Sequence, residues 1–475
     1  MSKAEIIIIA TPAIGNLVPA VEFATHLTTT EPLLSATILI IHMPQRPLVS
    51  DYTGSRATAA AGGNIRFLHL PPADPPNPDQ YQSSVAFISI LVEKHKPQVR
   101  HLLTNWDNSI RVAGFFVDMF CTSMIDVADE LGIPCYLFFA SPAAFLGFML
   151  HLPTLNTQLS ELTPEFDESE TELAIPSFCN PVPPKVLPSF FLKRNGDDGY
   201  SWFLRHARRY RGAKGIVVNT FQELEPFALK SFSSPDIPPV HPVGPLLDHV
   251  GPAKWLSDLS QSEMIMTWLD QQPTSSVVLL CFGSMGSLSV AQLREIALGL
   301  ERTGFRFLWS LRESARGKLG LPSDYSDVQD VLPDGFLERT AGMGLVCGWA
   351  PQVAILAHRA TGGFVSHCGW NSILESLWHG VPVATWPVYA EQQMNAFELV
   401  RELGLAAEIR LEYRQGSDLV LAEEIERGVR GLMEGDGEVR ERVKETSEKS
   451  RMALMADGSS NVCLEHLIEE LMAEI

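Results

Sequence analysis

"WAPQVAILAHRATGGFVSHCGWNSILESLWHGVPVATWPVYAEQQ", residues 349–393, decides how this chain folds. Within it, "GGFVSHCGWNS" (362–372) reads as a buried strand, a glycine-bearing turn and a helix start. Strand, tight turn and helix in that order belong to an α/β domain. "VPVATWP" (381–387) supplies the next strand. Gly369 lets the backbone approach a ligand closely. Asn371 and Ser372 fall at the helix start, where free N–H groups and the helix dipole favour an anion. His367 adds a polar group from the strand end. Trp349 ends the preceding strand and offers a flat face. Glu375 follows Ser372 by three residues, which is also the spacing of a capping box. Each residue alone has a structural reading of that kind, and for single residues it usually wins. Stacking face, anion-binding turn, carboxylate and the acid–amide pair Glu391-Gln392 come in order within 44 residues, and that combination favours a nucleotide site.

The same grammar extends in both directions. "EIIIIA" (5–10), "ATILIIH" (36–42), "IRFLHL" (65–70), "AGFFVD" (113–118), "CYLFFA" (135–140) and "GIVVNT" (215–220) are apolar runs without alternation. Such runs predict parallel strands covered on both faces. Helical patterns at 18–29 and 122–131 lie between them. After them, "SVVLLCFG" (276–283), "FRFLWSL" (305–311) and "GLVCGW" (344–349) restart the pattern, with helices at 290–302, 371–379 and 391–403. Residues 165–200 are proline-rich and irregular. "IPPVHPVGPLLDHVGPAK" (237–254) carries five prolines and two glycines and breaks any helix or central strand. The expectation is an α/β protein of two doubly wound domains: 1–240, a linker at 241–255, and 256–450. A charged helical end follows at 451–475.

Composition narrows the function classes. The chain has 475 residues, 45% hydrophobic and 19% charged, which is ordinary for a globular protein of two or three domains. A net charge of -20, with no basic stretch, argues against nucleic acid and anionic membrane surfaces as partners. Seven scattered cysteines, with no C-x-x-C pair, read as reduced thiols of a cytoplasmic protein. The apolar run at Ile6–Ala10 is too short for a signal-peptide core, and no stretch is long enough to span a bilayer.

The run from Trp349 to Gln392 resembles the signature box of plant family-1 UDP-sugar-dependent glycosyltransferases. It carries W-x-P-Q, H-C-G-W-N-S, the glutamate, G-V-P, W-P and E-Q. P-x-x-G at 12–15 and F-G-S at 282–284 extend the resemblance over the chain. It implies a GT-B fold, two Rossmann-like domains facing across a cleft. The acceptor would bind in the N-terminal domain and UDP-glucose, the co-substrate, in the C-terminal one. The last helix would pack back on the first domain. By the same resemblance Trp349 stacks on uracil, with the backbone of Ala350 reading its edge. Gln352 and Glu375 bond the ribose hydroxyls. His367, Asn371 and Ser372 hold the pyrophosphate, with Ser284 opposite. Trp370, Glu391 and Gln392 contact the sugar, and Gln392 resembles glucose users more than galactose users. No D-x-D occurs in the chain, so no metal and no other cofactor is expected. A monomer is expected, with no membrane insertion.

Asn16 departs from the family pattern, which has a histidine at this place as the base toward the acceptor hydroxyl. The partner aspartate of that histidine matches Asp118. An amide nitrogen has no free lone pair and accepts no proton near neutral pH. As a structural residue, Asn16 fits a helix N-cap ahead of Leu17, with Pro19 in the first turn. Three explanations stay open: a deliberate substitution, another base such as Asp118 or water, or an acceptor acidic enough to need little help. Aromatic residues that could line an acceptor pocket are Phe87, Phe120, Phe145, Phe148, Phe190, Phe191 and Trp202, though any one of them is more often core. They suit a phenolic, flavonoid or terpenoid acceptor. The alternatives are a non-catalytic UDP-sugar or metabolite-binding protein and a nicotinamide oxidoreductase. The missing G-x-G-x-x-G after the first strand counts against the latter.

Overall fold

All six side chains of Ala4–Ile9 (β1) are buried, as a strand covered by helices on both faces requires. Even Glu5 is buried, held by the Thr37 hydroxyl and by Arg66, whose guanidinium lies 3.1 Å away. The structure is a computed structural model. It describes residues 4–43, 46–59, 63–107, 110–160, 172–192, 198–249, 259–315, 320–414, 418–435 and 437–473. Parts of the irregular stretch 165–200 and residues 250–258 of the proline-rich stretch lie outside these.

β1 sits within seven parallel strands. The others are β2 (Leu34–Ile40), β3 (Ile65–His69), β4 (Arg111–Asp118), β5 (Cys135–Phe139), β6 (Gly215–Val218) and β7 (Val240–Pro242). Their order is β3-β2-β1-β4-β5-β6-β7. The second sheet contains β8 (Val277–Cys281), β9 (Arg306–Ser310), β12 (Gly344–Cys347), β13 (Thr361–Ser366), β14 (Val383–Thr385) and β15 (Ala406–Glu408). It is ordered β12-β9-β8-β13-β14-β15, again all parallel. A small hairpin, β10 (Arg312–Glu313) with β11 (Ser323–Asp324), stands beside it. Each sheet builds outward from its first strand and then reverses. The reversal falls between β1 and β4 in the first sheet and between β8 and β13 in the second. Ligands of doubly wound sheets bind at that place.

The chain divides into two units. One contains the described residues of Met1–Pro184, Phe190–Asp248 and Met452–Ile475; the other contains those of Lys185–Ser189 and His249–Arg451. The division after Asp248 differs from the expected linker at 241, because Val240–Pro242 joins the first sheet as an edge strand, where a proline is tolerated. In the first unit Phe23 packs on Phe116 and Phe138, ring centroids 5.1 and 5.4 Å away. The C-terminal helix Ser459–Ala473 belongs to this unit. Its Leu471 lies so close to β4 that a Cβ on Gly114 would stand 2.9 Å from Leu471 Cδ2. Glu470 accepts from the Tyr136 hydroxyl at 2.9 Å, and the Ser460 hydroxyl donates to the Gly244 carbonyl.

Three local expectations change. The first helix runs Ile14–Thr30, so it starts four residues before 18; its N-cap is Ala13, not Asn16, and Pro19 lies inside it. Asn16 is the third residue inside the helix, past the cap position, and its side chain bonds Asp118. Trp349 does not end a strand: β12 stops at Cys347. The helix expected over 391–403 is α-helical only over Gln392–Phe397 and then widens into a π turn at Glu398–Glu402.

Leu471 is almost wholly buried, so Leu471→Ala should destabilise the protein by about 2–5 kcal/mol. Met455→Ala, at a side chain 64% exposed, should change stability by less than about 0.5 kcal/mol. Urea unfolding curves of the two variants measure the contrast. Equal midpoints would mean that the last helix adds little to the first unit.

Candidate functional site

In the second sheet β8 and β13 end level, with Cys281 opposite Ser366. The chain then turns at Gly283 after one strand and at Cys368 after the other. His367 fills the space between the two turns. A Cβ on Gly283 or on Gly369 would stand 2.5 Å from His367 Nε2, so both glycines are walls of an imidazole slot. Gly369 therefore serves the histidine, and its own φ of -66° is ordinary. The left-handed residue is Cys368, at φ 62°. The Ser366 hydroxyl accepts its N–H at 3.1 Å, and the Asn395 amide donates to its carbonyl at 2.9 Å. Burial lowers the pKa of His367 to about 4, so the ring is neutral at pH 7. Its Nδ1 is buried without a hydrogen-bond partner among the described residues.

The helix that follows, Trp370–His379, has Gly369 as N-cap and receives no side-chain cap. The capping box does not form. The Ser372 hydroxyl and Glu375 Oε2 instead both accept from Gln352 Nε2, at 2.8 and 2.6 Å. Gln352 opens the neighbouring helix Gln352–Ala357. The three side chains form a carboxylate–amide–hydroxyl cluster, with Glu375 half-buried and able to accept from paired hydroxyls. Asn371 is half-buried on the first turn, and Trp370 is buried. Ser284 is half-buried in the turn after β8. Gln392 Oε1 accepts the N–H groups of Val388 and Tyr389 at 3.0 and 2.9 Å. Glu391 is the half-buried N-cap of that helix.

The sequence reading missed the support of Trp349. Its N–H donates to Asp324 Oδ1 at 3.0 Å, and its carbonyl accepts from Gln261 Nε2 at 3.0 Å. Ser310 bonds the carbonyl of Gly348 at 2.8 Å, and Arg312 pairs with Asp324 at 2.9 Å. The indole is half-buried and Ala350 beside it is buried. Nothing local in the sequence marks these partners.

In the first unit β1 and β4 also end level, with Ile9 opposite Val117. Asp118, the last residue of β4, is buried. Asn16 Nδ2 donates to its Oδ2 at 2.9 Å. The Thr11 hydroxyl and the Phe120 N–H donate to its Oδ1. Burial raises the Asp118 pKa, and these donors pull it partly back. Thr11 was not singled out in the sequence, although a hydroxyl just past a buried strand is a signal for it.

The aromatic residues separate into two groups. Phe145 and Phe148 are fully buried and stacked at 6.0 Å, and Phe191 packs on Phe148, so these three are core. Phe120, Phe190 and Trp202 form a cluster with Phe203 and His206: Phe190 stacks on Phe203 at 3.5 Å, and Phe120 meets both Phe203 and His206 edge-on. Phe87 is buried against Tyr81. His206 bonds the Ser89 and Thr122 hydroxyls at 2.8 and 2.7 Å, and burial lowers its pKa to about 3. Among the described residues no group of three or more His, Cys, Asp and Glu is placed to hold a metal ion, and no helix is long and apolar enough to cross a membrane.

Two doubly wound parallel-sheet units are the architecture of the GT-B fold. A model of the family described as UDP-glucoronosyl and UDP-glucosyl transferase matches residues 219–426. The chain is 56% identical to UDP-glycosyltransferase 43 of Pueraria montana var. lobata, over 99% of this chain and 100% of that one. It is 48% identical to UDP-glucose flavonoid 3-O-glucosyltransferase 6 of Fragaria ananassa, over 99% of both. The crystal structure of Medicago truncatula UGT71G1 complexed with UDP-glucose superposes with a TM-score of 0.90 at 43% identity, covering 99% of this chain and 98% of that one. The chain belongs to the plant UDP-glycosyltransferases and is a glycosyltransferase.

Among the described residues burial lowers the pKa of six histidines, His95, His151, His206, His241, His367 and His379, and together they set a pH response; His206 and His367 show its sign. His206 and His367 take up protons in the unfolded chain near pH 6.5 but resist them when folded. The unfolded state therefore binds more protons between about pH 6.5 and 4, and stability falls as pH falls through that window, by up to about 1.4 kcal/mol per pH unit for each histidine. The raised Asp118 acts in the opposite sense, losing stability as pH rises above its ordinary value. Urea unfolding at pH 7, 6 and 5 should show the acid loss, and His206→Gln should make it shallower. A flat profile would show that these rings are not held neutral.

Proposed function

We propose that this protein moves glucose from UDP-glucose to a hydroxyl of a small lipophilic plant metabolite, with inversion at the anomeric carbon and without a metal. The observation that carries the donor half is His367: a buried, neutral imidazole with an unpartnered Nδ1, beside a helix start that lacks a side-chain cap. Both features suit a diphosphate. In this reading His367, Asn371, Ser372 and Ser284 hold the pyrophosphate. As His367 is neutral, it acts by hydrogen bonding and not by charge. Trp349 stacks on uracil, the Ala350 backbone reads its edge, and the Gln352–Glu375 pair bonds the ribose. Trp370, Glu391 and the NH₂ of Gln392 face the sugar. Helix dipole and N–H groups stabilise the departing UDP. The acceptor side is the first unit, around Asn16, Asp118 and the Phe120–Phe190–Trp202 cluster. The strawberry relative's name supports a flavonoid-like acceptor. Cytoplasmic location is part of the proposal, supported by seven cysteines of which none forms a disulfide.

One displacement by the acceptor oxygen, opposite UDP, yields a β-glucoside from the α-linked donor. NMR of the product tests this, and an α-glucoside would overturn it. Glu375→Ala should weaken UDP binding by about 1.5–3 kcal/mol through lost charge-assisted hydrogen bonds, with the melting temperature nearly unchanged. Calorimetric titration with UDP, with and without EDTA, measures both points. Unchanged affinity would remove Glu375 from the ribose site, and affinity lost with EDTA would contradict metal-free binding.

A further inference from the structure

Given the reading above, in which Trp349 stacks on uracil, the direction of that indole decides how well the donor's base is held. No strand or helix sets it. β12 ends at Cys347, whose carbonyl still accepts the Leu311 N–H at 2.8 Å. Residues 348 and 349 then bend away from the sheet ladder.

Side chains take over where the ladder stops. The peptide joining Gly348 to Trp349 is held at both edges. The Ser310 hydroxyl donates to its carbonyl at 2.8 Å, and Asp324 Oδ1 accepts its N–H at 3.0 Å. The next peptide is held at the Trp349 carbonyl, which accepts from Gln261 Nε2 at 3.0 Å. Peptides are planar, so fixing the planes on both sides of a Cα fixes φ and ψ, and with them the direction of the side chain. The three holding residues come from separate elements: Gln261 from the helix Leu259–Asp270, Ser310 from the end of β9 and Asp324 from β11. All of them lie in the second unit, as Trp349 does.

Asp324 is itself seated. β10 and β11 pair antiparallel with Arg312 opposite Asp324, and Arg312 Nε lies 2.9 Å from the same Oδ1 that takes the Trp349 N–H. Arg312 also donates to the carbonyl of Pro322, the residue before β11. The carboxylate rests on Gly348, where a Cβ would collide with both of its oxygens. The Asp324 side chain is 46% exposed, so this ion pair adds little to folding stability. What it fixes is a position.

We propose that Asp324, seated by Arg312 and by the bare backbone of Gly348, is a positioning residue for donor binding: with Ser310 and Gln261 it aims the Trp349 indole at the base. It acts on the nucleotide through Trp349. The same clip explains why a glycine precedes the tryptophan, since any side chain there would displace the carboxylate.

A double-mutant cycle on UDP affinity tests this, by calorimetric titration of the whole chain. Asp324→Ala should weaken UDP binding about tenfold, mid-range for residues coupled in one network, and Trp349→Ala at least as much. In the Trp349→Ala background, Asp324→Ala should cost less than about twofold. Asp324→Asn keeps an oxygen for the Trp349 N–H and should recover most of the affinity. Gly348→Ala should reproduce the loss, and should add nothing beside Asp324→Ala, where no carboxylate stands in its way. Melting temperatures should stay within about 2 °C. In turnover, KM for UDP-glucose should rise while kcat stays within about twofold, as for an interaction that the ground and transition states share. No loss from Asp324→Ala, or a tenfold loss that persists in the Trp349→Ala background, would overturn the inference and leave Trp349 as the base platform. Unchanged UDP affinity in Trp349→Ala would overturn the stacking reading and the inference with it.

Discussion

A parallel sheet that reverses its strand order sends the segments after two adjacent strands to opposite faces, and the edge between them stays open. Both sheets here meet that constraint, and the unusual chemistry of each unit gathers where it is met. Thr11, Asn16 and Asp118 collect past β1 and β4. Gly283, His367 and Cys368 collect past β8 and β13. The rest of each sheet is apolar and needs no such arrangement. At the open edges polar groups are buried, and each needs partners or carries a cost.

The two edges solve that problem in opposite ways. Asp118 is a buried carboxyl whose oxygens are met from within the protein by a hydroxyl, a backbone N–H and an amide. His367 is a buried neutral ring, walled by two glycines and left with one nitrogen unmet. The first arrangement is closed and orients a neighbour. The second keeps a ring nitrogen without a hydrogen-bond partner among the described residues.

Much of this was legible in the sequence. The strands were readable because "IIII" at 6–9 and "VVLL" at 277–280 are buried on both faces and need no alternation. His367, Glu375 and Asn16 could be placed because a strand, a tight turn and a helix start fix their position locally. Contacts between distant segments could not be read. Asp324 and Gln261 hold Trp349 from 25 and 88 residues away. The capping box at Ser372 failed for the same reason: Gln352, from another helix, takes both of its side chains. Phe145 and Phe148 repeat at helical spacing whether they face a pocket or a core, and only packing shows that they are core.

The helix Ser459–Ala473 follows the whole second unit along the chain, yet it belongs to the first. During synthesis the face of β4 at Gly114 waits, apolar and uncovered, for Leu471 to emerge more than 350 residues later. The second unit has all its own strands by then. Folding in order of synthesis thus leaves the N-terminal unit as the last to close, with an exposed sheet face as its most aggregation-prone stage.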